Sequence, residues 1–381
     1  MNLLKPIAAG LLWLAALAVA HAQSPALFGD GFERSIPVTS GGGGANYLWF
    51  GDDGQCQADS RDAYGLLKRY HETDAQLGPV RAVAQQQLAA MRAAGMRRLS
   101  LGVYFMHRPA PGGTLIDSAD PQQVAQTAAN LALLLEDVKA AGFASVLFRF
   151  FPTNNINPSQ PEFPGTGSGD FDLRVDEYWR LIQALRPVLA ASGINYRTDL
   201  MVEGAPRDSN NTLYPESQRY KYPASTKWSR AVRTLWQRYA AAYGRSDTVG
   251  FSFLVDQDNN RLRSRVRHMR YVYEGLYPQV FAMDFYAGSQ WDEYDKFMKM
   301  DEHMRGQNPD GASWDSAGWI IAEAYYEDPL SAEALARAIR HSGRTVFYLT
   351  QWPLDRAADC QSSHVNVAPP YGWEIWPGLG F

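Results

Sequence analysis

Two glutamates, Glu203 and Glu323, close short runs that otherwise read as buried β-strands: Asp199-Leu200-Met201-Val202-Glu203 and Trp319-Ile320-Ile321-Ala322-Glu323. A carboxylate at the tip of a buried run is costly unless it is paired or used. Other strand-like runs bring further chemistry to their ends. Met283-Asp284-Phe285-Tyr286 ends in a tyrosine with Asp284 two residues earlier, and Tyr348-Leu349-Thr350-Gln351-Trp352 ends in a tryptophan. Arg149 lies among Phe148, Phe150 and Phe151, and Asp256 follows the run Val249–Val255. Two carboxyl groups facing each other across a mouth suit glycoside cleavage. One protonates the leaving oxygen, while the other attacks the anomeric carbon or activates water. Tyrosine and tryptophan offer sugar rings an apolar stacking face with a polar handle. A carboxyl spacing of about 5–5.5 Å would imply retention of configuration, and about 6.5–9.5 Å inversion. If Glu323 is instead locked in a buried arginine pair, the expectation is an architectural carboxylate and an inert barrel.

The elements that must position these residues follow a repeated rhythm of apolar run, loop, amphipathic helix and glycine. Gly95, Gly142, Gly193, Gly244 and Gly343 each close a helical pattern shortly before a strand-like run, as helix C-termini favour. The runs Tyr47–Gly51, Arg98–Phe105, Ser145–Phe151, Asp199–Glu203, Val249–Val255, Val280–Tyr286, Trp319–Glu323 and Val346–Trp352 make eight strands. All but the last precede a helix, which predicts an α/β fold of the (β/α)8 TIM-barrel type. An open doubly wound sheet would be expected to carry a Gly-rich phosphate loop after its first strand, and neither GxGxxG nor GxxxxGK[ST] occurs.

In a barrel the loops after the first and last strands meet at the closing seam. Cys56 and Cys360, 304 residues apart, fall on those two loops, and a Cys56–Cys360 disulfide is expected there. An oxidising compartment follows from the N-terminus. Lys5 precedes the apolar run from Ile7 to Ala20, and Ala20-His21-Ala22 has the small-x-small form of a cleavage site. Residues 1–22 are therefore read as a signal peptide, 23–45 as a flexible leader ending in four glycines, and 46–381 as the barrel domain. The expected location is secreted or periplasmic, with no membrane anchor after cleavage and a monomer as the expected form.

The composition excludes several classes. The formal net charge is −4 and 20% of residues are charged, with no basic stripe of the kind nucleic-acid binding needs. The basic stretch Arg261, Arg263, Arg265, Arg267 reads as a solvated helix face. The seven histidines lie outside the strand-like runs and apart from one another, so no metal site is expected. The nucleophile elbow GxSxG of serine hydrolases is missing. No cofactor is implied.

With glutamates at the ends of strands four and seven, the chain resembles the clan A glycoside hydrolases, retaining enzymes built on a (β/α)8 barrel. The resemblance covers residues 46 to 354. It implies that Glu203 is the acid/base and Glu323 the nucleophile, that Tyr286 contacts Glu323, and that Trp352 floors the sugar site. Two positions depart from the pattern. Val202 stands where an asparagine usually precedes the acid/base. The arginine that supports the nucleophile from strand two has no counterpart there, leaving Arg149, or His107-Arg108, to take its part. The expected function is a secreted retaining glycoside hydrolase cleaving an oligo- or polysaccharide. The alternative is a catalytically inactive glycan-binding barrel.

Overall fold

The computed structural model describes residues 42–50, 63–64, 66–75, 77–207, 227–255, 258–286, 292–306, 317–353 and 372–381. Residues 34–381 fall in one compact unit. Cys56, Cys360, Asp256 and the signal-peptide segment lie outside the described residues. No described helix is long and apolar enough to cross a membrane.

Eight strand positions run in parallel. They are β1 (Gly44–Tyr47), β2 (Arg98–Met106), β3 (Ser145–Pro152), β4 (Asn195–Asp199), β5 in two segments (Thr248–Gly250 and Phe253–Leu254), β6 (Val280–Asp284), β7 (Gly318–Glu323) and β8 (Val346–Gln351). Strands β4, β3, β2, β1, β8, β7 and β6 are hydrogen-bonded neighbours in that order. The two halves of β5 complete the circle: Thr248 and Gly250 pair with β4, while Phe253 and Leu254 pair with β6. The sheet therefore closes, and the fold is a (β/α)8 barrel, as the alternation of runs and helices predicts.

Among the described residues, seven long helices follow the first seven strands: α1 (Val80–Ala93), α2 (Pro121–Ala140), α3 (Gly169–Ala191), α4 (Lys227–Tyr243), α5 (Asn259–Tyr273), α6 (Glu293–Gly306) and α7 (Pro329–Ser342). Asp120, Asp258 and Asp328 cap α2, α5 and α7 by accepting the first free N–H groups, which have no partner within the helix. The five helix-ending glycines all adopt positive φ. At Gly343 this lets the chain leave α7 in the left-handed conformation and turn back into β8. The described tail, residues 372–381, packs back on the barrel. Trp373, Trp376 and Phe381 are buried with the helix-side core, and Gln351 grips the tail by donating to Gly372 O and accepting from Trp376 Nε1.

Two boundaries and one helix face differ from the sequence expectation. The strand expected over Asp199–Glu203 lies earlier, at Asn195–Asp199; Leu200 to Glu203 form a bend and turn, although the Leu200 and Val202 N–H groups still donate to Gly250 O and Phe150 O. Asn195, exposed, and Tyr196 and Arg197, partly buried, hide that strand by carrying polar groups. The first strand starts at Gly44 rather than Tyr47. A Cβ on Gly44 would lie 1.8 Å from Arg98 O, so this glycine of the expected leader is needed for strand contact. The basic face of α5 is not wholly solvated: Arg265 and His268 are buried.

The barrel interior is filled by Leu147, Val249, Val280, Ala282, Ile320, Ala322 and Tyr348, a layer of aliphatic residues closed by one aromatic ring. Above it, toward the C-terminal strand ends, the filling becomes ionic.

Candidate active site

Arg149 occupies the centre of the barrel above the aliphatic layer and is fully buried. It reaches that place by strand alternation, since Leu147 two residues earlier also faces inward. All five of its N–H groups find acceptors. Nε donates to Asp199 Oδ2 at 3.0 Å. Nη1 donates to Glu323 Oε1 and, at 3.5 Å, to Asn46 Oδ1. Nη2 donates to Asp284 Oδ1 and Oδ2 at 2.9 and 3.0 Å and to Ser252 Oγ at 3.2 Å. Burial by itself would lower the guanidinium pKa, but Asp284, Glu323 and Asp199 together hold it well above its ordinary value.

Glu323 faces this arginine because β7 is irregular. Ala282 pairs with Ile320 and Met283 with Ile321, but Asp284 pairs with Glu323, so Ala322 is an extra residue opposite β6. Such a bulge re-aims the side chain that follows it. The carbonyl of Ala322 is held by Thr350 Oγ1 of the adjacent β8 at 2.7 Å and by Asn46 Nδ2 of β1, one strand further on, at 2.8 Å, which fixes the kink. The second oxygen of Glu323 accepts from the Tyr286 hydroxyl. Burial and the negative charge of Glu323 raise the Tyr286 pKa well above normal, so the phenol stays a donor. Tyr104 on β2 has its pKa raised in the same direction, by burial and then by Glu323. Its ring stacks on Phe151, with centroids 4.2 Å apart. Gly102 makes room for that stack, since a Cβ there would lie 2.6 Å from the Phe151 ring.

Glu203 is not a strand residue. It lies at φ +50° in the tight turn after β4, a conformation that costs a side-chain-bearing residue on the order of 1 kcal/mol or more. The surroundings over-determine it. The Glu203 N–H donates to Ser252 Oγ at 2.8 Å, and the Ala205 N–H donates to Ser252 O at 3.2 Å. Trp228 Nε1 donates to Gly204 O at 3.1 Å, and Arg265 to Ala205 O. Ser252 itself sits in the break of β5, its N–H on Asp199 Oδ1 at 3.0 Å. It thus ties the Glu203 turn, Asp199 and Arg149 into one unit. Ser252→Ala should leave the fold intact and lower stability by about 1 kcal/mol, the usual net worth of such a hydrogen bond; an unchanged Tm would show that Ser252 does not hold the Glu203 turn.

Glu203, Asp284 and Glu323 each bring a carboxylate oxygen within 4.8 Å of the others. Asp284 and Glu323 already turn oxygens to Arg149, so the guanidinium supplies the positive charge that a bound cation would otherwise bring. Burial, with Glu323, Glu203 and Asp199 beside it, pushes the Asp284 carboxyl well above the carboxylate range, against the pull of Arg149. Burial raises Asp199 as well.

The structure thus brings together Glu203, Glu323, Tyr286, Arg149 and Asp284 from the residues singled out in the sequence. Trp352 follows β8, half-buried, with its N–H on Ala324 O at 2.7 Å. His107 does not reach the cluster; it pairs with Glu177 at 2.8 Å. Asn46, Asp199, Ser252 and Tyr104 are site residues that sequence reasoning missed. For Ser252 a signal existed, because Gly250 in mid-strand marks a bulge.

The fold and site together define a (β/α)8-barrel protein with an arginine-centred carboxylate cluster at its mouth. No family model matches the chain, and no curated protein matches its sequence. Solved structures resemble it at low identity. A GH5_18 protein from Bifidobacterium longum subsp. infantis is 12% identical over 89% of this chain and 77% of its own, with a TM-score of 0.49. ZgEngAGH5_4, solved with a cellotriose, is 14% identical over 90% of this chain and 99% of its own, at 0.46. An endo-1,4-beta-mannanase from Rhizomucor miehei is 11% identical over 90% and 98%, at 0.45. Likeness at this level leaves the chemistry of the mouth to be read from its own geometry.

Proposed function

We propose that the protein is an exported glycoside hydrolase that cleaves an oligo- or polysaccharide with retention of anomeric configuration. The observation that carries this reading is the approach of Glu203 and Glu323 carboxylate oxygens to within 4.8 Å at the barrel mouth. That approach suits the close spacing of about 5–5.5 Å in retaining enzymes better than the about 6.5–9.5 Å of inverting ones.

The two glutamates suit different tasks. Glu323 is fixed by Arg149 and the Tyr286 hydroxyl, donors that stabilise a carboxylate and aim it. It serves as the nucleophile, forming a glycosyl-enzyme bond as the leaving oxygen departs. Glu203 is half-buried and held by backbone contacts that leave its carboxyl at the mouth. It protonates the leaving oxygen and then takes a proton from the water that releases the sugar. Trp352, at the end of β8, stacks against the sugar ring. Proton NMR of the first-formed product should give the anomer of the substrate; the opposite anomer would rule out the double displacement.

One observation favours a second reading, an inert barrel that binds a glycan: Glu323 is paired with the buried Arg149, the arrangement expected of an architectural carboxylate. Both Glu323 oxygens are engaged and its side chain is only 5% exposed. The two readings separate in one comparison. If the wild-type protein binds a glycan, hydrolyses none, and Glu323→Gln binds it equally well, the inert barrel is correct.

A further inference from the structure

One layer above Arg149 the mouth holds a tyrosine hydroxyl that the fold leaves unused. Between β2 and β3, Gly102 is the register partner of Arg149, and Tyr104 of Phe151. Register partners face the same way and alternate residues share a face, so Tyr104 and Phe151 stand on the inward face, one step nearer the C-terminal strand ends. Their rings stack at 14° with centroids 4.2 Å apart, and the guanidinium carbon of Arg149 lies 5.5 Å from the Phe151 ring centre. The stack fixes the plane of the tyrosine ring and with it the line along which the hydroxyl points. Tyr47, Tyr70, Tyr178 and Tyr286 commit their hydroxyls to Gln87, Asp137, Leu200 O and Glu323. The Tyr104 hydroxyl has no hydrogen-bond partner among the described residues, and its side chain is half-buried.

We propose that the Tyr104 hydroxyl is a substrate contact, hydrogen-bonded to the sugar hydroxyl on the carbon next to the one Glu323 attacks. The proposal rests on the glycosidase reading and names a position of the sugar that the mouth recognises. A sugar whose reacting carbon meets Glu323 must lie in the layer above the carboxylates, where Tyr104 stands. Besides the leaving oxygen, two sugar oxygens lie near that carbon. The ring oxygen gains positive charge in the oxocarbenium-like transition state and so repels a donor. The 2-hydroxyl both donates and accepts, and its hydrogen bonds strengthen as the transition state forms. Burial, and then the charge of Glu323, hold the Tyr104 phenol well above its ordinary pKa, so it stays protonated and able to donate.

Tyr104→Phe tests it by removing one oxygen. The ring stack remains and no hydrogen bond within the described protein is lost, so Tm should not change. The first probe is the nitrophenyl glycoside cleaved fastest in a panel of gluco-, manno-, galacto- and xylo-configured sugars. On it, kcat should fall by about tenfold or more with KM changed less, as the loss of a bond that strengthens in the transition state requires. On the 2-deoxy analogue of that glycoside, wild type and variant should agree within about twofold, because the substrate no longer carries the group that Tyr104 binds. An equal loss on both substrates, or no loss on either, would overturn the proposal and leave the glycosidase reading in place. Hydrolysis of no glycoside and no glycan would overturn the glycosidase reading instead, and calorimetry then decides for Tyr104. Wild type should bind one of a panel of cello-, manno-, xylo- and laminari-oligosaccharides about fivefold or more tightly than Tyr104→Phe, the share of one hydrogen bond. Equal affinity, or no binding by wild type, would overturn the proposal.

Discussion

Glu323→Gln should lower kcat by at least about 10⁴-fold on every substrate, a loss of about 5 kcal/mol of transition-state stabilisation at 1.36 kcal/mol per tenfold. An amide cannot form the glycosyl-enzyme bond, and Asp284, the neighbouring carboxyl, is wholly buried against Arg149. Arg149 holds only donors, and the pKa of the Tyr286 phenol is raised, which keeps it protonated. Glu203→Gln should behave differently. General acid assistance accounts for about 10²–10⁴-fold, and it matters in proportion to the basicity of the leaving group. The first chemical step on a nitrophenyl glycoside should therefore survive Glu203→Gln far better than the same step on a natural disaccharide. Steady-state and burst kinetics on the two substrates, with Tm as a control for folding, make the comparison. Equal losses on both substrates for both variants would remove the division of labour between the glutamates.

Arg149→Met should destabilise the barrel by about 3–5 kcal/mol, the usual cost of stripping a buried charge from its partners. For a domain of this size that lowers Tm by on the order of 10 °C. The variant leaves Asp199, Asp284 and Glu323 buried without their cation, and activity should vanish with the stability. The loss should also depend on pH. Without Arg149 these carboxyls take up protons more readily when folded than when unfolded, so stability falls as pH rises and the variant is least impaired in acid. A surface pair gives the contrast. Arg337 lies 3.5 Å from Asp292 with both side chains about half exposed, and breaking such a pair changes stability by less than about 1 kcal/mol. Thermal unfolding of Arg149→Met at pH 4 and pH 8 checks both claims; an unchanged Tm would show that the cluster is not what holds the mouth together.

Much of the barrel is legible in the chain because periodicity and punctuation are local properties. Glycines at helix ends, aspartate caps before prolines, and apolar runs of strand length each report on a few neighbouring residues. Strand four is the exception. Its Asn195, Tyr196 and Arg197 are polar, while the turn that follows it, Leu200-Met201-Val202, is the apolar part. The eye takes the turn for the strand. Glu203 does follow strand four, but a turn locked by Ser252, Trp228 and Arg265 presents it, not the strand itself.

The sequence by itself determined the number and order of the βα units, and with them that Glu203, Glu323, Tyr286 and Trp352 follow the C-terminal ends of strands. It also placed Arg149 in a strand of phenylalanines, where an unpaired guanidinium could not stay. Only the tertiary structure decided which carboxylates share that arginine. Asp199, Asp284 and Glu323 lie between 50 and 174 residues from Arg149 along the chain, and nothing local to any of them records the meeting. The bulge at Ala322 was equally invisible, because its cause lies in Asn46 and Thr350, two hydrogen-bonding side chains on β1 and β8. A one-residue bulge turns Glu323 from the outer face of β7 to the mouth, since successive side chains on a strand point opposite ways.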